Sequence, residues 1–234
     1  PGFGEKVEQN VIKALATAAA YSGRMLLAEV WPLAHALRDA ILAVRGVTQV
    51  ELAGSFRRRR DTVGDLDLLA CGGHADDVMR ALVSHGEVLE VLGQGETKTS
   101  VRLRNGLQVD LRHVPEGAFG AALLYFTGSK EHNIELRRLA IEQGLSLNEY
   151  GLTRGESVVA ARTEHDVYAA LGLAWVPPEL REARGEIAQA REGTLPVLLE
   201  LEDLRGDLHM HTTRSDGRDT LDAMIEAAQA RGHA

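Results

Sequence analysis

Two aspartates, Asp65 and Asp67, stand one residue apart in the run GDLDLLA, with Leu66 and Leu68 alternating against them. Side chains on a strand alternate with period two, so both carboxylates share one face and the leucines enter the core. Two carboxylates a few ångströms apart repel each other unless a cation lies between them. Oxygen-rich sites of this kind suit Mg²⁺. A third acid, Asp110 in LQVDLR, is likewise flanked by apolar residues, Val109 and Leu111. Three carboxylates on adjacent strands can hold two divalent ions. One would lower the pKa of an attacking hydroxyl, and the other would hold a triphosphate and stabilise the leaving oxygen. The same D-x-D spacing also occurs on solvent-facing edge strands, so its neighbours decide between the two readings.

Just upstream lies GSFRRRRDTVG. A glycine lets backbone approach a phosphate closely, and the N–H groups and hydroxyl of Gly54-Ser55 can hold its oxygens. Arg57 or Arg58 can pair with the same anion. Consecutive residues cannot all face one ligand, so one or two of the four arginines belong to a solvated face.

Elements must position these groups. Val47 to Ala53 alternates as a strand, Asp65 to Ala70 as a second, and Asp76 to Ser84 reads as a helix. Glu87 to Leu92, Thr99 to Leu103 and Leu107 to Val114 are further strands, the last two joined by the Asn105-Gly106 turn. Residues 1–20 open on a Gly-x-Gly turn into a helix, and 22–44 form another, bent near Pro32. Helices follow at Ala118 to Phe126, His132 to Gln143 and His165 to Leu171, with short strands or loops over Ser146 to Thr153. Pro177-Pro178 marks a boundary, residues 179–205 are helical and then linker-like, and Gly206 to Met210 starts a new strand.

The 234 residues suffice for one or two domains, and no apolar run approaches membrane-spanning length. The lone Cys71 excludes an internal disulfide framework and reads as a small buried hydrophobe in a reducing cytoplasm. A net charge of −8 argues against binding nucleic acid by bulk attraction, which leaves local basic patches to do it. The chain lacks an initiator Met and stops inside an amphipathic helical pattern, LDAMIEAAQARGHA, which reads as a piece of a longer protein.

GS-x-R-R, G-D-x-D-x-L and a later strand aspartate together resemble the nucleotidyltransferase fold of DNA polymerase beta and its relatives. LLYFTGSKEHNIELRRLAIEQGLSLNEYGL is similar to the nucleotide-binding thumb region of family X DNA polymerases. The resemblance implies an α+β protein. A helix-hairpin-helix remnant (1–20) would precede a palm with a mixed sheet and flanking helices (21–117), then a small α/β thumb (118–180) and a linker (181–205). It implies Asp65, Asp67 and Asp110 as catalytic ligands of Mg²⁺ or Mn²⁺. Arg24, Gly54, Ser55, Arg58 and Gly64 would hold the triphosphate of a dNTP. Tyr125 and Phe126 would pack under its sugar, over the turn Gly128-Ser129. Asn133 would meet the base edge, Lys130 would lie beside the base, and Arg137 would reach the template. Gly2, Gly4 and Lys6 would grip a DNA phosphate. Gln108 departs from the family, which has an arginine near the primer end; Val63 departs where a hydroxyl residue is common.

The last segment, GDLHMHTTRSDG, sets His209 and His211 at period two, with Asp216 following, a set suited to Zn²⁺ or Mn²⁺. It resembles the first motif of the polymerase-and-histidinol-phosphatase (PHP) domain, a metal-dependent phosphoesterase. Residues 206–234 would be its truncated start, without a complete site. The implied activity is template-directed DNA synthesis of the bacterial family X type on gapped or primed DNA, by a monomer, in repair. The full-length protein would add a 3′–5′ exonuclease. Two alternatives remain at this level: a nucleotidyltransferase acting on RNA or a small molecule, and a DNA-end-binding module that presents the PHP nuclease.

Overall fold

The computed structural model describes residues 23–232, so the expectations for Gly2, Gly4 and Lys6 lie outside the described residues. The chain divides into two compact units, one ending at Leu195 and the other beginning at Pro196.

The first unit opens with a two-residue strand, β1 (Met25–Leu26), where a continuous helix from residue 22 is expected. Helix α1 (Leu27–Leu42) follows and runs through Pro32. Its Val30, Ala34, Leu37 and Ile41 recur on one face and are buried. Next come β2 (Val47–Leu52), the one-turn helix α2 (Gly54–Arg57), β3 (Thr62–Val63) and β4 (Asp65–Gly72). Helix α3 (Ala75–Val83) leads to β5 (Val88–Gln94), β6 (Lys98–Leu103) and β7 (Gln108–His113). Five of these strands form one mixed sheet in the order β2-β4-β7-β6-β5. Only the β4–β7 pair is parallel.

The alternation in DLDLLACG decides what each face of β4 does. Leu66, Leu68 and Ala70 enter a core with α1 and α3 and with Val109 and Leu111 of β7. A fully buried leucine contributes roughly 1.5–3 kcal/mol, so these side chains anchor the acid-bearing strands firmly. On the opposite face, Leu69 and Cys71 pack with Ala53 under Phe119, Ala122 and Leu123 of α4 (Phe119–Thr127). That helix covers only the C-terminal half of the strand face. Asp65 and Asp67 occupy the half it leaves open. Cys71 is free and buried, as a small hydrophobe should be.

The rest of the unit continues with α5 (Lys130–Glu142), β8 (Ser146–Asn148), β9 (Gly151–Arg154), β10 (Ser157–Ala160) and α6 (Glu164–Ala170). The three strands form an antiparallel sheet, β10-β9-β8. Ser157–Ala160 is a further strand beyond the short strands or loops expected over Ser146 to Thr153. The expected linker from residue 181 is also different, because residues 181–195 stay in the first unit. They include helix α7 (Glu186–Glu192), whose Ile187 and Ala190 join the core of Leu124, Leu136, Leu152, Val167 and Tyr168. Two apolar residues among charges in EIAQARE suffice to dock one short helix.

Among its described residues, the second unit holds a 3₁₀ turn (Leu201–Asp203) and helix α8 (Leu221–Ala230), capped by the Thr220 hydroxyl accepting the Ala223 N–H at 3.2 Å. The expected strand at Gly206 to Met210 does not form. His209 has a φ of 61°, in the left-handed region, which breaks the extended backbone that period two needs. Among the described residues, no helix is long and apolar enough to cross a membrane.

Candidate active site

The sheet register brings the three aspartates together from two distant segments. Asp67 is the direct partner of Asp110 across the parallel β4–β7 pair, and Asp65 is the partner of Gln108. Burial pushes the Asp67 carboxyl up to about 7, helped by the charges of Asp65 and Asp110 and only partly offset by Arg112 and Lys98. Asp110 behaves differently. Burial opposes its ionisation, but hydrogen bonds from Lys98, Ser100 and Gln108 outweigh this and hold its carboxyl below the ordinary value. The Lys98 Nζ lies 2.9 Å from one Asp110 oxygen, and the Gln108 amide donates to the other at 3.2 Å.

Among the described residues, no three acidic, histidine or cysteine side chains converge into a ready metal cage. Asp110 is drawn sideways to Lys98. The donor set nevertheless fits a divalent cation chemically. It offers oxygen ligands on neighbouring strands, one raised by burial and further by its neighbours' negative charge, a repulsion that a bound cation relieves.

Asp65 and Asp67 open onto a cleft of about 450 Å³. Arg24, Arg58, Arg60, Lys130 and Arg137 line it together with Asp65 and Asp67. Gly54, Ser55, Tyr125, Phe126, Gly128 and Asn133, all expected at the site, also line it, as does Thr127. Gly64, Ser129 and Asp110 are not among the lining residues. Gly64 sits beside Arg24, Ser129 caps helix α5, and Asp110 lies beside Asp67 on the neighbouring strand, drawn toward Lys98.

The four consecutive arginines part to three destinations. Arg57 turns into the protein, where Glu164 accepts from both ends of its guanidinium at 2.7 and 2.9 Å and the Thr127 hydroxyl accepts at 2.8 Å. Arg58 lines the cleft, donating to the Thr127 carbonyl and, through Nε, to Glu182 at 2.9 Å. Arg59 stacks over the Trp31 ring, 4.4 Å from its centroid. Arg60 also lines the cleft, which residue spacing alone did not single out.

Local geometry explains several choices of residue. Gly54 has a φ of +60°, and a Cβ there would lie 2.5 Å from an Asp67 oxygen, so the glycine makes room for that acid. The Ser55 hydroxyl beside it is buried without a hydrogen-bond partner, although it lines the cleft. An unpartnered buried hydroxyl is costly and is a natural donor to a ligand oxygen. Arg24 is placed by the two-residue ladder β1–β3, and its guanidinium donates to the Thr62 hydroxyl at 2.8 Å and carbonyl at 2.6 Å.

On the facing side, Tyr125 and Phe126 meet edge to face with centroids 5.0 Å apart. Arg112 lies 4.2 Å over the Phe126 ring. The Asn133 amide donates to the Tyr125 carbonyl at 2.7 Å, and Arg137 donates to the Asn133 carbonyl at 3.2 Å. The Ser129 hydroxyl accepts the His132 N–H at 3.2 Å and so starts helix α5. Residue types and spacing gave no sign of Lys98, Arg112, Glu164 or Glu182. Each acts through a partner a dozen or more residues away in the chain. Thr127 did have a signal, since it stands inside the FTGS run.

In the second unit, the His209 and His211 rings lie 4.9 Å apart. His211 Nδ1 is hydrogen-bonded to Asp216. Without the strand, period two no longer sets the two imidazoles on one face, and no three-ligand group forms there among the described residues.

Residues 122–182 match the sequence model of the DNA polymerase beta thumb. The chain is 35% identical to the DNA polymerase/3′–5′ exonuclease PolX of Bacillus subtilis (strain 168), across 99% of this chain and 41% of that protein. It is 33% identical to DNA polymerase lambda of Rattus norvegicus, over 55% of this chain and 28% of that one. The chain therefore spans less than half the length of these relatives. A Leishmania infantum polymerase beta, solved as a ternary primer–template complex, superposes with a TM-score of 0.63 at 23% identity. It covers 78% of this chain and 84% of its own, which establishes the polymerase beta-like α+β fold.

Proposed function

We propose that the chain belongs to the family X DNA polymerases and is the synthetic part of a template-directed DNA polymerase. The reaction is attack of a primer 3′-hydroxyl on the α-phosphate of a dNTP, with pyrophosphate leaving. One observation carries this reading: a single cleft sets Asp65 and Asp67, the latter coupled to Asp110, against a row of cations and the unpartnered Ser55 hydroxyl.

Asp65, Asp67 and Asp110 would hold Mg²⁺ or Mn²⁺, which supplies Lewis acidity toward the reacting hydroxyl and phosphate oxygens. The protein's own groups bind and orient. The Ser55 hydroxyl, the Gly54 and Gly64 backbone, Arg58 and Arg24 take the outer phosphates. Tyr125 and Phe126 pack under the sugar, beside Gly128 and Ser129. Asn133 meets the base edge, Lys130 lies beside the base, and Arg137 approaches the template. Most of the catalytic gain then comes from positioning and preorganised charge. Gln108 offers a neutral amide near the primer end, and Lys98 brings the positive charge to Asp110 instead.

Gly2, Gly4 and Lys6 belong to this reading as contacts to a DNA phosphate. His209, His211 and Asp216 belong to it as the first ligands of a PHP metal site for Mn²⁺ or Zn²⁺, which further residues would complete as a 3′–5′ exonuclease. The setting is gap filling in DNA repair, by a cytoplasmic monomer. Primer extension on gapped DNA with dNTPs and Mg²⁺ or Mn²⁺ tests the reading. Synthesis that depends on Asp110 supports it. No synthesis, or synthesis unchanged in Asp110→Ala, overturns it.

A further inference from the structure

Residues Arg181 to Glu186 touch both sides of the cleft. The Arg181 carbonyl accepts the Ser129 N–H at 3.0 Å, at the start of helix α5. The Arg181 guanidinium shares Glu164 with Arg57. Glu186 lies 2.6 Å from the buried His132 ring on the same α5 helix. Between these anchors stands Glu182, which accepts from Arg58 Nε at 2.9 Å. Both partners are largely buried, with 14% of the Arg58 side chain and 19% of the Glu182 side chain exposed.

Arg58 is thereby held by two hydrogen bonds, in space that Gly128 leaves open. Glu182 takes Nε, the Thr127 carbonyl takes Nη1, and a Cβ on Gly128 would lie 3.2 Å from Nη1. A guanidinium offers five N–H donors in a rigid fork, so two are spent on orientation and the others are left for the cleft that Arg58 lines. The backbone contacts of Glu182 fix it in turn: it follows the 3₁₀ turn Pro178–Leu180, and its N–H donates to the Leu180 carbonyl at 2.8 Å.

We propose that Glu182 is a positioning residue for nucleotide binding: it aims the Arg58 fork at the phosphates of a nucleoside triphosphate. This rests on the polymerase reading above for the identity of the ligand. The carboxylate also repels a triphosphate, so its presence helps only if orientation outweighs that repulsion. The sign of the mutational effect therefore decides the matter. Removing the acceptor lets Arg58 wander, and a contact made equally in ground and transition states is lost, which raises KM and leaves kcat nearly unchanged.

The test compares the native chain with Glu182→Ala and Glu182→Gln. It measures binding of Mg²⁺–dTTP by titration calorimetry, and KM and kcat for dTTP in gap extension, with thermal melting and gapped-DNA affinity as folding controls. Glu182→Ala should weaken dTTP binding and raise KM by about tenfold, the size of one lost charge-assisted contact. Glu182→Gln keeps the acceptor oxygen and should stay within about threefold of native. Native or tighter dTTP binding by Glu182→Ala, or equal defects in both variants, overturns the inference. If the native chain binds dTTP but extends nothing, the polymerase reading fails while the Glu182 comparison is still decided by binding. If the native chain binds no dTTP, both fail.

Discussion

Two clusters of charge in the first unit are built from the same chemistry and end in opposite states. Around Glu164, burial opposes ionisation, but Arg57 and Arg181 outweigh it and hold the carboxyl down to about 2. Around Asp67, burial and two neighbouring acids push the carboxyl up to about 7. Glu164 accepts from both arginines and from the Trp175 indole at 3.1 Å, so its charge is fully matched inside the protein. Asp67 faces a cleft with its charge only partly offset, by Arg112 and Lys98. The first cluster joins elements to one another; the second is disposed to receive something. A buried charge that is satisfied stabilises geometry, whereas one that is not is a binding site in waiting.

The largest expected break in this contrast is in activity. Asp110→Ala should reduce gap extension by at least about 10³-fold, as removal of a member of a catalytic unit does. Melting should change little, because the variant also relieves repulsion on Asp67. Extension kinetics and circular dichroism on the same preparation check both halves.

Glu164→Gln should do the reverse. It leaves Arg57 and Arg181 without their shared counter-charge and should cost roughly 3–5 kcal/mol of stability in urea denaturation. Its pH signature has a definite sign. The folded value of about 2 lies below the ordinary 4.5, so the stabilisation is present above pH 4.5 and is lost as pH falls toward 2. Glu164→Gln should flatten acid unfolding in that window.

Asp67 gives the opposite slope, and a metal should remove it. Its folded value of about 7 lies above the ordinary 3.8, so without divalent ions stability falls as pH rises between those values. Adding Mn²⁺ at neutral pH should raise the melting temperature by a few degrees, in line with mass-action stabilisation of about 1–3 kcal/mol. Chelator should reverse the rise, and Asp67→Asn should abolish it.

The smallest effect belongs to Ser55→Ala. Its hydroxyl has no partner to lose in the protein, so stability should hold within about 0.5 kcal/mol or rise. KM for dNTP should rise a few-fold, as expected for one lost neutral hydrogen bond. A fall in stability beyond 1 kcal/mol would place the hydroxyl in the fold instead of the site.

Much of the site was legible because the signals were local. Asp65 and Asp67 declared a shared face by alternation, and Gly54-Ser55 and Tyr125-Phe126 stand in dense short motifs. The reading of Gly54 changed in its reason, since the space it leaves is taken by Asp67. The strand expected at Gly206 to Met210 failed because period two in LHMH describes a strand only when the backbone is extended, and His209 is not. Helix α7 falls in the stretch expected to be helical, but its docking was not legible, because Ile187 and Ala190 are too few apolar residues to announce a core face against so many charges.

By itself, then, the sequence determined the strand alternation, the acids' shared face and the family that the motifs resemble. These depend on neighbours within a few residues, where backbone periodicity does the work. Only the tertiary structure decided where each of four identical arginines went, which acid faced Lys98, and that Glu182 would meet Arg58 from 124 residues away. Arginines carry the same charge and reach, so their fates are set by which carboxylate, carbonyl or ring the fold brings within about 3–4 Å, and that is a property of long-range packing alone.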